Sequence, residues 1–130
     1  MYGGRWNSTD VYMSYTAESP ALALLETIVH MGKIPEMGFC IISVEIPENS
    51  VLTYDASTLP ADWYKSPAPD YLRVIGDAFI SNNKFLVLTV PSAVMPEEHN
   101  YLINPRHRDF KKIKITGSRD VNIDGRLLRH

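Results

Sequence analysis

Between Ser19 and Gly32 the chain specifies a helix at both ends, and that helix carries a glutamate among leucines. Ser19 is an N-cap, and Pro20 takes the first helical position, where its missing N–H costs nothing. Ala21, Leu22, Ala23, Leu24, Leu25 and Glu26 are strong helix formers. Gly32 suits the left-handed residue just past the end, with His30 in the last turn. A step of roughly 100° per residue puts Leu22, Leu25, Glu26 and Val29 on one stripe. Glu26 therefore lies at the edge of the inward face. It either bends out to solvent or meets a cation or hydrogen-bond donors.

The rest of the pattern predicts one α+β domain, a mixed β-sheet core flanked by helices. Val11 to Thr16 reads as a strand ahead of the helix. Phe39 to Ile46 is almost continuously apolar, as expected of a strand central in its sheet. Pro47 to Ser50 is a turn, Val51 to Tyr54 a short strand, and Pro60 to Tyr64 a helical turn. Asp70 is placed to cap a helix running through Ser81, with Leu72, Ile75 and Phe79 on one face. Asn82-Asn83 ends it. Phe85 to Val90 is a buried strand stopping at Pro91, and Ile113 to Thr116 a late strand. Met95 to Lys112 reads as mostly loop, a length that is uncommon without a functional reason.

Composition excludes several classes. A chain of 130 residues with net charge −2 gives no electrostatic case for nucleic acid. No secretory signal and no apolar run long enough to span a membrane is present, so a cytoplasmic protein is expected. Lone Cys40 sits in an apolar run and reads as a small core residue. Lys111, Lys112 and Lys114 with Arg106 and Arg108 make a basic patch without interleaved aromatics, better read as a solvated face. His99 and His107 lack metal-ligand spacing and read as solvated loop histidines.

Four short motifs carry a resemblance. Gly4-Arg5-Trp6-Asn7, Tyr15 to Glu26, Val90-Pro91-Ser92-Ala93 and Asn100 to Pro105 occur in the order found in the RES domain, the toxin half of Xre–RES toxin–antitoxin modules. Leu59 to Trp63 and Ile75-Gly76-Asp77-Ala78 look like further landmarks, so the resemblance spans residues 1–130. Two departures stand out. A strand usually precedes the first motif, yet Met1 lies four residues before Arg5; and Asp10 stands where a glycine is often found.

The resemblance implies an ADP-ribosyltransferase-like fold that consumes NAD by hydrolysis or phosphorolysis of its nicotinamide–ribose bond, with no further cofactor and no metal. The alternatives are a protein ADP-ribosyltransferase and a non-catalytic module that binds a nucleotide or its antitoxin. It implies Arg5, Tyr15, Glu26 and Ser92 as catalytic residues, and Arg5, Trp6, Asn7, Tyr15, Ser92 and Asn100 as substrate-binding. It also implies an Xre-type helix-turn-helix antitoxin as partner, and allows a homodimer. The chemistry suits these side chains. Breaking the nicotinamide–ribose bond passes through an oxocarbenium-like state that a carboxylate stabilises. Arginine offers a planar fork to phosphate. Tyr15 offers a flat face and a hydroxyl, and Ser92 a hydrogen bond to ribose or to Glu26. The absence of Gly-x-Gly-x-x-Gly after a strand argues against Rossmann-type NAD binding.

Structural roles compete with each assignment. Arg5 and Glu26 could form an ion pair that only joins strand to helix. Tyr15 could be a core aromatic, and Ser92 could cap the turn after Pro91. Trp6 reads better as core than as a ligand platform, and Asn100 and Asn104 as braces of the long loop.

Overall fold

A computed structural model describes residues 3–34 and 38–128. Met1, on which the short N-terminus was read, lies outside them. Strand β1 (Ser14–Ala17) leads into helix α1 (Pro20–Met31). Ser19 caps that helix, its hydroxyl oxygen accepting the Leu22 N–H at 3.1 Å, and Gly32 ends it at φ 71°. Both helix ends fall where the sequence places them. Only Leu22 of the inward stripe is buried, and Val29 at its far end is exposed.

The main sheet has four strands in the order β1-β5-β4-β3. Strand β3 (Val51–Thr53) runs parallel to β4 (Val87–Pro91), and β5 (His99–Ile103) is antiparallel to both β4 and β1. Strand β4 is wholly buried because both its edges are paired and both its faces covered. Strand β5 corrects the sequence reading of Met95 to Lys112 as mostly loop. Only Tyr101 to Ile103 is apolar there, too short a run to stand out from its polar flanks.

Helix α2 (Asp70–Asn82) lies on one face of this sheet, where Leu72 and Phe79 join Trp6, Met13, Leu59, Trp63, Leu88, Val90 and Leu102 in the larger core cluster. Asp70 is the first helical residue rather than the cap, a position held by Pro69 without a side-chain bond; it pairs with Arg73 instead. On the other face Leu86, Val87 and Ile103 pack with Ile46, Val51, Tyr101 and Ile113.

Among the described residues strand β2 (Phe39–Glu45) pairs only with β6 (Lys114–Val121), with a bulge between Ser43 and Val44. This two-stranded ribbon overturns the expectation of a central strand. Its apolar run is not buried on both faces: Ile42 is exposed, Ile115 is 71% exposed, and Cys40 lies at the surface rather than in a core. Strand β6 extends well past Thr116, through Gly117, where the sequence reading had stopped.

Candidate active site

Arg5 sits in a tight turn in which Gly4 and Asn7 exchange backbone hydrogen bonds of 3.1 and 3.4 Å. The Asn7 side chain closes the turn from inside. Its Oδ1 accepts the Gly4 N–H at 2.9 Å, and its Nδ2 donates to the Val11 carbonyl at 2.7 Å. Tyr15 completes the brace: its hydroxyl donates to Asn7 Oδ1 at 2.6 Å and accepts the Trp6 N–H at 3.0 Å. Gly4 is required by this closeness. A Cβ there would lie 2.6 Å from the Tyr15 hydroxyl. Trp6 and Asn7 are buried, so their side chains serve the core and the turn and are not presented to a ligand.

The Arg5 guanidinium is aimed by backbone. Nη1 donates to the carbonyls of Trp63 at 3.1 Å and Lys65 at 3.0 Å. These are its hydrogen bonds among the described residues, leaving the Nε and Nη2 edge for a planar anion. Arg5 forms no ion pair with Glu26 among the described residues, so the strand-to-helix pair is not what the structure builds. Burial lowers the Arg5 pKa, opposed by neighbouring Tyr15.

Glu26 is held by two donors. Ser92 Oγ donates to Oε2 at 2.9 Å and Asn100 Nδ2 to Oε1 at 2.8 Å. Each donor is itself fixed. Ser92 Oγ accepts the N–H groups of Val94 and Met95, both at 3.2 Å, so it caps the turn after Pro91 and orients Glu26 at once. Asn100 also donates to the Thr16 carbonyl at 3.2 Å. Helix α1 is pinned beside them, because the Ser19 hydroxyl donates to Glu98 at 2.8 Å and the Glu18 N–H to the His99 carbonyl at 3.0 Å. Asn100 therefore belongs to a strand and to Glu26, not to a loop brace. Asn104 is a brace, donating to Asn83 at 2.8 Å.

Tyr15 and the Asn100 that holds Glu26 share one sheet face. Ala17 opposes Asn100 and Tyr15 opposes Leu102, so alternation points Tyr15, Ala17 and Asn100 the same way, with Tyr15 about 7 Å along the strand. Tyr15 is 44% exposed while its hydroxyl is enclosed between Asn7 and the Trp6 N–H. Enclosure, reinforced by Asp77 and opposed by the Trp6 N–H and Arg5, pushes the Tyr15 pKa up to about 12. Tyr15 also borders a cleft of about 660 Å³ that runs between α1 and β2, past Thr16, Ser19, Thr27, Ile41 and Val44. Arg5, Glu26, Ser92 and Asn100 are not in its wall.

The raised Tyr15 value has a measurable consequence. The unfolded chain loses this proton near pH 10 and the folded chain holds it to about 12. Stability from this group is therefore full below pH 10 and falls as pH rises from about 10 to 12. We expect the stability advantage of the wild type over Tyr15→Phe to shrink between pH 8 and 11 in urea titrations. A constant difference would contradict the enclosure of the hydroxyl.

Two site features were not legible from sequence chemistry. Asp77 accepts the Ser8 N–H at 2.9 Å through Oδ1 and the Ser8 hydroxyl through Oδ2. Gly76 beside it lets the Trp6 carbonyl rest on α2, where a Cβ would overlap the oxygen. Motif Ile75 to Ala78 was the only signal, and it carried no chemistry. His107 is a further correction: it is buried, with Nδ1 accepting the Asp109 N–H at 3.0 Å.

The RES domain profile matches residues 1–124. This chain belongs to the RES domain family. It is 39% identical to a "Toxin Res" of Photorhabdus laumondii, over 99% of this chain and 84% of that protein. It is 37% identical to a "Prs ADP-ribosylating toxin" of a Sphingobium species, over 98% of this chain and 81% of the other. The fold is similar to a chain in the crystal structure of the M. tuberculosis MbcT–MbcA toxin–antitoxin complex, with a TM-score of 0.76 and 16% identity over 93% of this chain and 73% of that one. The α+β expectation is thereby met. Among the described residues of this RES protein, no helix is long and apolar enough to cross a membrane.

Proposed function

We propose that this RES protein is a toxin that consumes NAD by cleaving its nicotinamide–ribose bond, with water or phosphate taking the ribosyl group. The observation that carries this reading is the Glu26 carboxylate, held at both oxygens by Ser92 and Asn100 on the sheet face that also presents Tyr15. A carboxylate fixed before the reaction stabilises developing positive charge on the ribose without reorganising. The partly exposed Tyr15 ring offers a face to the nicotinamide, and the free edge of Arg5 offers two parallel donors to the pyrophosphate. Cationic nicotinamide leaves readily, so these residues need neither a metal nor a further cofactor.

Such an enzyme would work in the cytoplasm, where its substrate is. Its own cell needs an inhibitor, and the toxin–antitoxin complex that shares the fold supports an antitoxin partner, here of the Xre type. A second reading, ADP-ribosylation of a protein, is favoured by the name of the Sphingobium relative. Purified protein incubated with NAD separates the readings. Nicotinamide with free ADP-ribose or its phosphate supports the proposal. Nicotinamide released only when a protein substrate is added supports the second, and intact NAD in both cases overturns both.

Arg5→Lys tests the clamp. A single ammonium cannot satisfy the Trp63 and Lys65 carbonyls and also present a planar fork. We expect NAD affinity to fall about tenfold with the charge retained, as measured by isothermal titration. An unchanged affinity would mean that Arg5 does not hold the phosphates.

A further inference from the structure

We propose that Asp77 is a positioning residue for Arg5, acting through Ser8 across the gap between α2 and the Gly4–Asn7 turn. Arg5 precedes Trp6, whose side chain is buried in the core, and two hydrogen-bonded anchors tie the turn. One is Tyr15, which holds Asn7 and the Trp6 N–H. The other is Asp77, which takes both the N–H and the hydroxyl of Ser8. A neutral side chain could accept the N–H, but a carboxylate accepts from both groups at once and makes the stronger, charge-assisted bonds.

The arrangement is unexpected for a site that receives an anion. The Asp77 carboxylate is spent on the turn, with both oxygens engaged by Ser8. Gly76 allows the approach that brings the two within reach, because the Trp6 carbonyl would otherwise meet a Cβ. Trp63 and Lys65, on the segment leading into α2, take the Arg5 side chain. Backbone and guanidinium are thus referred to the same body, so the fork keeps one direction. Freeing Ser8 lets the turn swing while the helix stays.

The inference rests on the reading of Arg5 as a pyrophosphate clamp. Its test combines kinetics with a readout that needs no turnover. Asp77→Ala and Ser8→Ala are expected to raise the KM for NAD about tenfold with little change in kcat, the signature of lost binding held equally in ground and transition states. Asp77→Asn, which still accepts the Ser8 N–H, should fall between them and the wild type. In an Arg5→Ala background Asp77→Ala should add almost nothing, because the route to substrate is already gone. Equal KM effects in both backgrounds, or an unchanged KM in folded Asp77→Ala, would overturn the proposal.

Amide hydrogen exchange reads the turn directly. Asp77→Ala should speed exchange at Trp6, Asn7 and Ser8 about tenfold while amides of α2 and β4 stay protected. Should the wild type leave NAD intact, the clamp reading fails and the exchange result still decides whether Asp77 fixes the turn. Unchanged exchange at those amides would refute it on its own.

Discussion

Glu26→Gln is expected to lower NAD cleavage by at least about 100-fold, the loss seen when one preorganised electrostatic group is removed from a site. The amide is nearly isosteric but cannot match the negative charge beside an oxocarbenium-like ribose. Its fit is also imperfect for a reason visible in the hydrogen bonds. Both carboxylate oxygens accept, one from Ser92 and one from Asn100. In the glutamine one of these positions becomes an NH₂ donor. Facing Asn100 it would meet another donor. Facing Ser92 it would meet an oxygen that already accepts from Val94 and Met95. The variant should therefore lose about 1–2 kcal/mol of stability as well, too little to unfold a domain of ordinary stability. Nicotinamide release and a thermal melt, measured together, keep the two effects apart. Near-normal turnover in the folded variant would remove Glu26 from the reaction.

Gly76→Ala should destabilise the protein by at least about 3 kcal/mol, at the upper end of overpacking costs, because the new Cβ would strike backbone rather than a yielding side chain. For a chain of this size the melting temperature should fall by about 10 °C. The sign is what makes the test decisive. Glycine inside a helix ordinarily costs about 0.5–1 kcal/mol relative to alanine, so the same substitution at an open position stabilises. A higher melting temperature would mean that Trp6 does not rest on α2. The expected relief is for the Gly4–Asn7 turn to lift off the helix, and NAD affinity should then fall along with stability.

Helix α1 was legible because its information is local. Ser19, Pro20 and Gly32 act within one turn of themselves, and those rules hold whatever the chain packs against. The reading that Ser92 hydrogen-bonds Glu26 is likewise met, at 2.9 Å. Periodicity found α2 and β4, whose buried faces are continuous.

What failed was whatever depends on a partner distant in sequence. Strand β2 looks central because it is apolar, yet a strand's place is set by its neighbours, and among the described residues β2 has only β6. Strand β5 looks like loop because its residues are mixed, yet it is paired on both sides, and its polar residues are used, His99 with Glu18 and Asn100 with Glu26. His107 is buried by the segments around it, with its ring nitrogen satisfied by a backbone N–H.

The sequence by itself determined that this chain makes a capped helix carrying a glutamate, that its four motifs belong to a RES domain, and that Arg5 follows a flexible pair of glycines. Tertiary structure alone decided that Arg5 and Glu26 are not each other's counterions. Arg5 is aimed by two carbonyls some sixty residues away and anchored through Ser8 to α2, while Glu26 is held by Ser92 and Asn100. The physical reason is that a hydrogen bond is specified by distance and direction in space. A sequence lists donors and acceptors without saying which of them folding will bring within 3 Å.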